Sequence, residues 1–240
     1  VATEAGKHLK KCVLELGGSN AFIILEDANL EKAVATAVNA RMQNTGQSCI
    51  AAKRFLVHEN IAEEFVAKFK VAIQNLKTGN PLDKETQIGS LARVDLAEEL
   101  EVQVKKSIQM GAKLIVGGNR KDAFYDPTIL TNVTTEMPVF KEETFGPVAA
   151  IIIFKTIEEA IELSNQSEFG LGVSIFTQDI DFIKTKISSF NEGAVFINEM
   201  VKSDPRLPFG GIKKSGYGRE LAEDGIKEFV NVKTVVINNI

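Results

Sequence analysis

Residues 147–198, PVAAIIIFKTIEEAIELSNQSEFGLGVSIFTQDIDFIKTKISSFNEGAVFIN, decide the fold. PVAAIIIFK, GVSIFTQ and GAVFIN are short apolar runs of strand length. TIEEAIELSNQS and DIDFIKTKISSF lie between them with helical spacing and polar starts. Buried strands separated by helices of this length predict a mostly parallel sheet covered on both faces. The same alternation runs upstream. KCVLELGG and NAFIIL read as strands, DANLEKAVATAVNARMQ as a helix capped by Asp27 or Asn29, and NTG as its left-handed stop at Gly46. KRFLVHE reads as a strand, IAEEFVAKFKVAIQNL and RVDLAEELEVQVKKSIQMG as amphipathic helices, and AKLIVGG as a further strand. VATEAGKHLK reads as the middle of a helix with no cap before it. The class is α/β. NVKTVVINN, at the end, alternates with period two and reads as a lone strand that needs a partner from elsewhere.

Composition narrows the function. The chain has 240 residues, 44% of them hydrophobic, and a net charge of −4. With no Trp and two Tyr, it offers neither the basic excess nor the stacking platforms that nucleic acid requires. Its longest apolar run, VAAIII followed by Phe154, is far too short to cross a bilayer. Neither of the two histidines, His8 and His58, sits in a ligand pattern, so no metal site is expected. Two cysteines and no secretory segment at the start lead to the expectation of a reducing, cytoplasmic setting.

Cys49 follows the turn Gly46-Gln47-Ser48 and has no bulky apolar neighbour on its N-terminal side. Two readings are open on the residues alone: a small buried hydrophobe, or an exposed nucleophilic thiol. Glu15 stands in VLELGG, an acid inside an apolar strand that stops at two glycines. It either faces solvent or is buried, and burial would raise its pKa toward the range of a general base.

Four stretches then occur in order: LELGGS (14–19), NTGQSC (44–49), KEETFGPV (141–148) and PFGGIKKSGYGRE (208–220), with Glu15 and Cys49 34 positions apart. Together they resemble the aldehyde dehydrogenase superfamily over essentially the whole chain. The flanking text, VLELGGSNAFIILEDANLEKAV and CIAAKRFLV, is most similar to the succinate-semialdehyde branch. The match corresponds to the C-terminal half of that family's subunit.

The resemblance implies a catalytic domain over residues 19–212, preceded by the tail of a dinucleotide-binding domain over 1–18. A returning helix and an oligomerisation strand follow over 213–240. It implies that Cys49 attacks an aldehyde carbonyl to give a thiohemiacetal and then a thioester, with the Cys49 N–H as an oxyanion donor. Glu15 would activate the thiol or the hydrolytic water, while Glu143, Phe145, Leu16 and Gly17 line the nicotinamide end of NAD or NADP. Most of the cofactor site falls outside this chain, which lacks a G-x-G-x-x-G after a strand, so the chain alone is expected to be nearly inactive. The family's habit also implies a homo-oligomer and a small aldehyde as substrate, while charge, aromatic content and the short apolar runs argue against a nucleic-acid or membrane partner.

Lys202, Ser203 and Arg206, in the loop NEMVKSDPRLPFGG, could hold a substrate carboxylate, or the loop could simply be solvated. GGIKKSGYGRE reads as a structural turn into the last helix and not as a phosphate loop. Two other functions stay open on the sequence: a folded, non-catalytic assembly partner, and a cofactor-free thiol esterase using Cys49 and Glu15.

Overall fold

The computed structural model describes residues 1–238. The chain starts with α1 (Ala2–Lys7), β1 (Leu14–Glu15), β2 (Asn20–Ile24), α2 (Leu30–Met42), β3 (Ala52–His58), α3 (Ala62–Gln74) and α4 (Val94–Gln109). It continues through β4 (Lys113–Val116), β5 (Arg120–Lys121), β6 (Phe124–Tyr125), β7 (Thr128–Thr131), α5 (Pro138–Lys141), β8 (Val148–Phe154) and α6 (Ile157–Asn165). It closes with β9 (Phe169–Gly170), β10 (Val173–Phe176), α7 (Ile180–Lys186), β11 (Val195–Ile197), β12 (Ile212–Lys213), β13 (Gly216–Tyr217) and α8 (Ala222–Lys227).

Seven strands form one sheet in the order β11-β10-β2-β3-β8-β7-β4. Every neighbouring pair is parallel except β4 with β7, which closes one edge antiparallel. The α/β reading therefore holds. Strand pleating explains the near-continuous apolar runs. Phe22 and Ile24 of β2 and Ala149 and Ile151 of β8 join a core with Ala33, Ala37, Phe65 and Phe69 of α2 and α3. Their alternates, Ala21, Ile23, Ala150 and Ile152, join a second core with Leu100 of α4, Phe140 of α5, Ala160 of α6 and Ile183 of α7. A sheet buried on both faces needs apolar residues at successive positions, as found over Ala21–Ile24 of β2 and Phe55–Val57 of β3.

Local signals set the helix ends. The Asn29 side chain accepts from the Lys32 N–H, so Asn29 is the cap of α2; Thr156 and Asp179 cap α6 and α7 in the same way. The stop of α2 is more elaborate than a single glycine. Asn44, Thr45 and Gly46 all have positive φ, at 51°, 55° and 73°. A β-branched threonine there costs about 1–3 kcal/mol, and Thr45 Oγ1 accepts from the Gly89 N–H in this position.

Two expectations change. KCVLELGG is a strand only over Leu14–Glu15, and it pairs with β13 outside the main sheet. Residues 231–238 of NVKTVVINN form no strand, because no described residue pairs with them. Val232, Val235, Val236 and Ile237 stand exposed there, and Asn239 lies outside the described residues. The strand over Thr128–Thr131 gave no separate signal in the sequence, since only two apolar residues stand between its threonines and its ladder comes from β4 and β8.

Candidate active site

The site gathers at the amino ends of the parallel strands β2, β3 and β8, where three separate segments meet. The first is Leu14–Gly18. Its short strand is held by β13, with Glu15 opposite Gly216. The register demands a glycine there: Gly216 has φ 112°, and a Cβ would lie 1.8 Å from the Leu14 carbonyl oxygen. Ser215, fully buried, donates from Oγ to the Gly17 carbonyl at 2.7 Å and accepts from the Gly170 N–H at 3.1 Å. GGIKKSGYGRE is thus a structural turn, as read, and also the clamp on the Glu15 strand.

Glu15 is half-buried, and its Oε1 has no hydrogen-bond partner. Burial raises its pKa above the ordinary glutamate value; neighbouring Glu220 adds to the rise and Arg219 opposes it. Oε1 lies 3.0 Å from where a Cβ on Gly210 would sit, so the second glycine-rich segment leaves room for this carboxylate.

The second segment carries Cys49. Its surroundings differ from an exposed turn. Cys49 is half-buried and packs with Ile50, Phe196 and Leu221 against Leu171, Val201 and Phe209. Apart from Ile50 these apolar neighbours are distant in sequence, so little beside Cys49 in the chain announced them. Burial pushes the thiol pKa up, while Lys53 pulls it down. Gly18 packs directly beneath the turn, since a Cβ there would come within 2.4 Å of the Cys49 carbonyl oxygen. Asn20 ties the same region together, donating to the Ile50 carbonyl at 3.0 Å and accepting from the Gly172 N–H at 3.1 Å.

The third segment is KEETFGPV. Glu143 Oε1 accepts from the Gly18 N–H at 3.0 Å and lies 3.2 Å from Lys53 Nζ. Its Oε2 sits over Gly17, where a Cβ would approach to 2.3 Å. Phe145 and Leu16 present partly exposed apolar surface, 39% and 50%. Glu143, Gly17, Leu16 and Phe145 therefore come from segments that the Gly18–Glu143 bond joins. Lys53 was missed by sequence reasoning, although a Lys-Arg pair inside the apolar strand CIAAKRFLV was a signal. The other member, Arg54, is also buried and donates to the carbonyls of Ser19, Leu163 and Ser164.

The loop residues behave differently. Lys202 pairs with Glu199 at 3.0 Å, and Arg206 pairs with Asp204 at 2.6 Å. That guanidinium holds the Asp204 carboxyl well below the usual range. A cleft of about 420 Å³ is lined by Val195, Phe196, Glu199, Lys202, Asp204 and Phe209 among others; neither Ser203 nor Arg206 is in its wall. Phe196 and Phe209 connect this cleft to the apolar packing around Cys49. Among the described residues no group of three His, Cys, Asp or Glu is placed to hold a metal, and no helix is long and apolar enough to cross a membrane.

Over 238 residues the chain is 52% identical to the succinate semialdehyde dehydrogenase [NAD(P)+] Sad of Escherichia coli, covering 98% of this chain and 52% of that protein. It is 51% identical to a probable NADP+ succinate-semialdehyde dehydrogenase of Synechocystis, covering 98% and 53%. The chain thus spans about half the length of the curated relatives it matches. Among solved structures, the succinic semialdehyde dehydrogenase of Streptococcus pyogenes in complex with NADP+ superposes with a TM-score of 0.95 at 40% identity, covering 99% of this chain and 53% of that one. The family model described as the aldehyde dehydrogenase family matches residues 1–235, and the chain belongs to that family.

Proposed function

We propose that this chain supplies the nucleophile and the general base for NAD(P)-dependent oxidation of a small aldehyde, succinate semialdehyde or a close analogue, to its acid. The observation that carries the reading is the convergence of Cys49, Gly18 and Glu143, with Glu15 on the adjoining two-residue strand. The Cys49 thiolate attacks the carbonyl carbon, and the developing oxyanion lies within reach of the Cys49 N–H. Glu15, with a raised pKa, takes a proton from the thiol and later from the water that cleaves the Cys49 thioester. Its unpartnered Oε1 leaves one oxygen available for that proton.

The residues fit the nicotinamide end of the cofactor. The glycine-floored Oε2 of Glu143 offers an acceptor for ribose hydroxyls, and Phe145 and Leu16 offer apolar surface for the ring. The chemistry a bound NAD(P)+ would supply at this site is that of hydride acceptor for the Cys49 adduct. Succinate-semialdehyde chemistry rests on the names of the relatives at about half identity; Lys202 in the cleft wall would add a cation once released from Glu199, its partner at 3.0 Å. Arg206 contributes less, since it is exposed and already paired with Asp204. In the whole protein, residues 1–18 belong with the dinucleotide-binding domain, 19–212 form the catalytic domain, and 213–240 serve assembly into an oligomer.

The test uses succinate semialdehyde with the purified chain. The aldehyde should protect Cys49 from iodoacetamide while succinate does not, and any NADH or NADPH formed should vanish in Cys49→Ser. Absence of both protection and turnover at saturating aldehyde overturns the reading.

A further inference from the structure

Lys53 is fully buried, and the chemistry above gives it no task. Its Nζ donates to the Ser48 carbonyl at 3.0 Å and the Cys49 carbonyl at 3.1 Å, and lies 3.2 Å from Glu143 Oε1. Three partners saturate the three donors of an ammonium. The titratable and charged groups facing it are Arg41 from α2, Cys49 from the turn before β3, and Glu143 from the turn before β8. Phe145 covers a further side, its ring centroid 6.0 Å away. Two buried cations thus face one carboxylate, and a thiolate at Cys49 would supply the second negative charge.

We propose that Lys53 is a positioning residue for the Cys49 nucleophile: its ammonium pins the Cys49 turn to Glu143 and stabilises the thiolate. The inference rests on the reading of Cys49 as the nucleophile. One buried charge then sets both the thiol and the carboxylate assigned to the cofactor, which explains a lysine at a fully buried position. Burial and, secondarily, Arg41 bring the Lys53 pKa down to about 7, against the pull of Glu143. The stabilising charge therefore fades across the neutral range. Below it Lys53 is cationic and favours the thiolate; above it Lys53 is neutral and the thiol becomes harder to ionise.

The experiment measures the rate of Cys49 alkylation by iodoacetamide from pH 6 to 10 in the full chain. A Cys12→Ser background removes the second thiol, and mass spectrometry assigns the label. Lys53→Met should label about three- to tenfold more slowly at pH 6.5. One pK unit lowers the thiolate fraction tenfold, and the greater nucleophilicity of the more basic thiolate returns part of that. By pH 9.5 the two rates should converge, and only the wild-type curve should be shallower than a single ionisation near neutrality. A purely structural role would shift the whole curve without changing its shape, so a uniform offset, or superimposable curves, overturns the proposal. If circular dichroism shows that Lys53→Met is unfolded, the wild-type curve decides by itself: a composite profile supports the proposal and a single-ionisation profile overturns it. Cys49 that resists alkylation at every pH overturns this inference together with the aldehyde reading. Ready labelling with no dependence on Lys53 overturns this inference alone.

Discussion

The Gly18 N–H donates to Glu143 Oε1 at 3.0 Å, joining residues 125 positions apart. The same glycine packs under the Cys49 carbonyl, so one residue contacts both the turn that carries the proposed nucleophile and the carboxylate proposed for the cofactor. Gly18→Ala would place a Cβ 2.4 Å from that carbonyl oxygen, a backbone atom that cannot swing aside. The expected outcome is a stability loss of about 1–3 kcal/mol from overpacking, with Cys49 alkylation altered by at least severalfold. Urea unfolding and iodoacetamide labelling of the same preparation check it.

Ser215→Ala deletes a hydroxyl that both donates to the Gly17 carbonyl and accepts from the buried Gly170 N–H. Leaving buried groups unpaired costs about 1–3 kcal/mol. Because the clamp holds β1, hydrogen exchange should rise at Leu14–Gly18 and stay unchanged in β3 and β8. A uniform rise across the sheet would contradict a local clamp.

Arg54→Met strips three carbonyls, those of Ser19, Leu163 and Ser164, of their common donor. The expected loss is on the order of 3–5 kcal/mol, the range for breaking a buried charged network. Lys53→Met, one residue earlier, removes a different set of contacts and should leave hydrogen exchange at Leu163 and Ser164 unaffected. Chemical denaturation and exchange mapping of the two variants separate the roles.

Glu15→Gln carries a pH signature. The folded-state pKa of Glu15 is raised, chiefly by burial, so its ionised form is disfavoured in the native state relative to the unfolded chain. That cost is present above the folded pKa and disappears as pH falls below the unfolded value. The variant should therefore unfold at an equal or higher temperature than wild type at pH 7–8, with the two converging near pH 4. Turnover in the whole enzyme should fall by about 10²–10⁴, the usual contribution of a general base. A variant less stable at pH 8 than at pH 4, relative to wild type, would show that Glu15 is held by a favourable partner.

Much of the fold is legible in residues 147–198, because a sheet buried on both faces writes its strands as apolar runs and its helices as amphipathic spacers. The cap of α2 is legible to within two residues, Asp27 or Asn29, for a local reason: the side chain bonds to a backbone N–H three residues on, and the structure assigns that bond to Asn29. Thr128–Thr131 is not, since its two apolar residues sit between threonines and its ladder is supplied by β4 and β8. Nor could NVKTVVINN form its strand among the described residues, because alternation supplies a pattern but not a partner.

At the site, the types of Cys49, Glu15, Glu143 and Phe145 follow from four motifs in a fixed order. Sequence by itself determined the α/β class, the family and these chemical types, because each depends on local pattern or on residues in register along the chain. Only the tertiary structure decided that Cys49 is half-buried against Leu171 and Phe209, that Arg206 is already occupied by Asp204, and that the Lys53 amine is buried between Cys49 and Glu143. Burial and charge pairing depend on which distant segments the sheet brings together, and a pKa responds to those neighbours rather than to the residue's place in the chain.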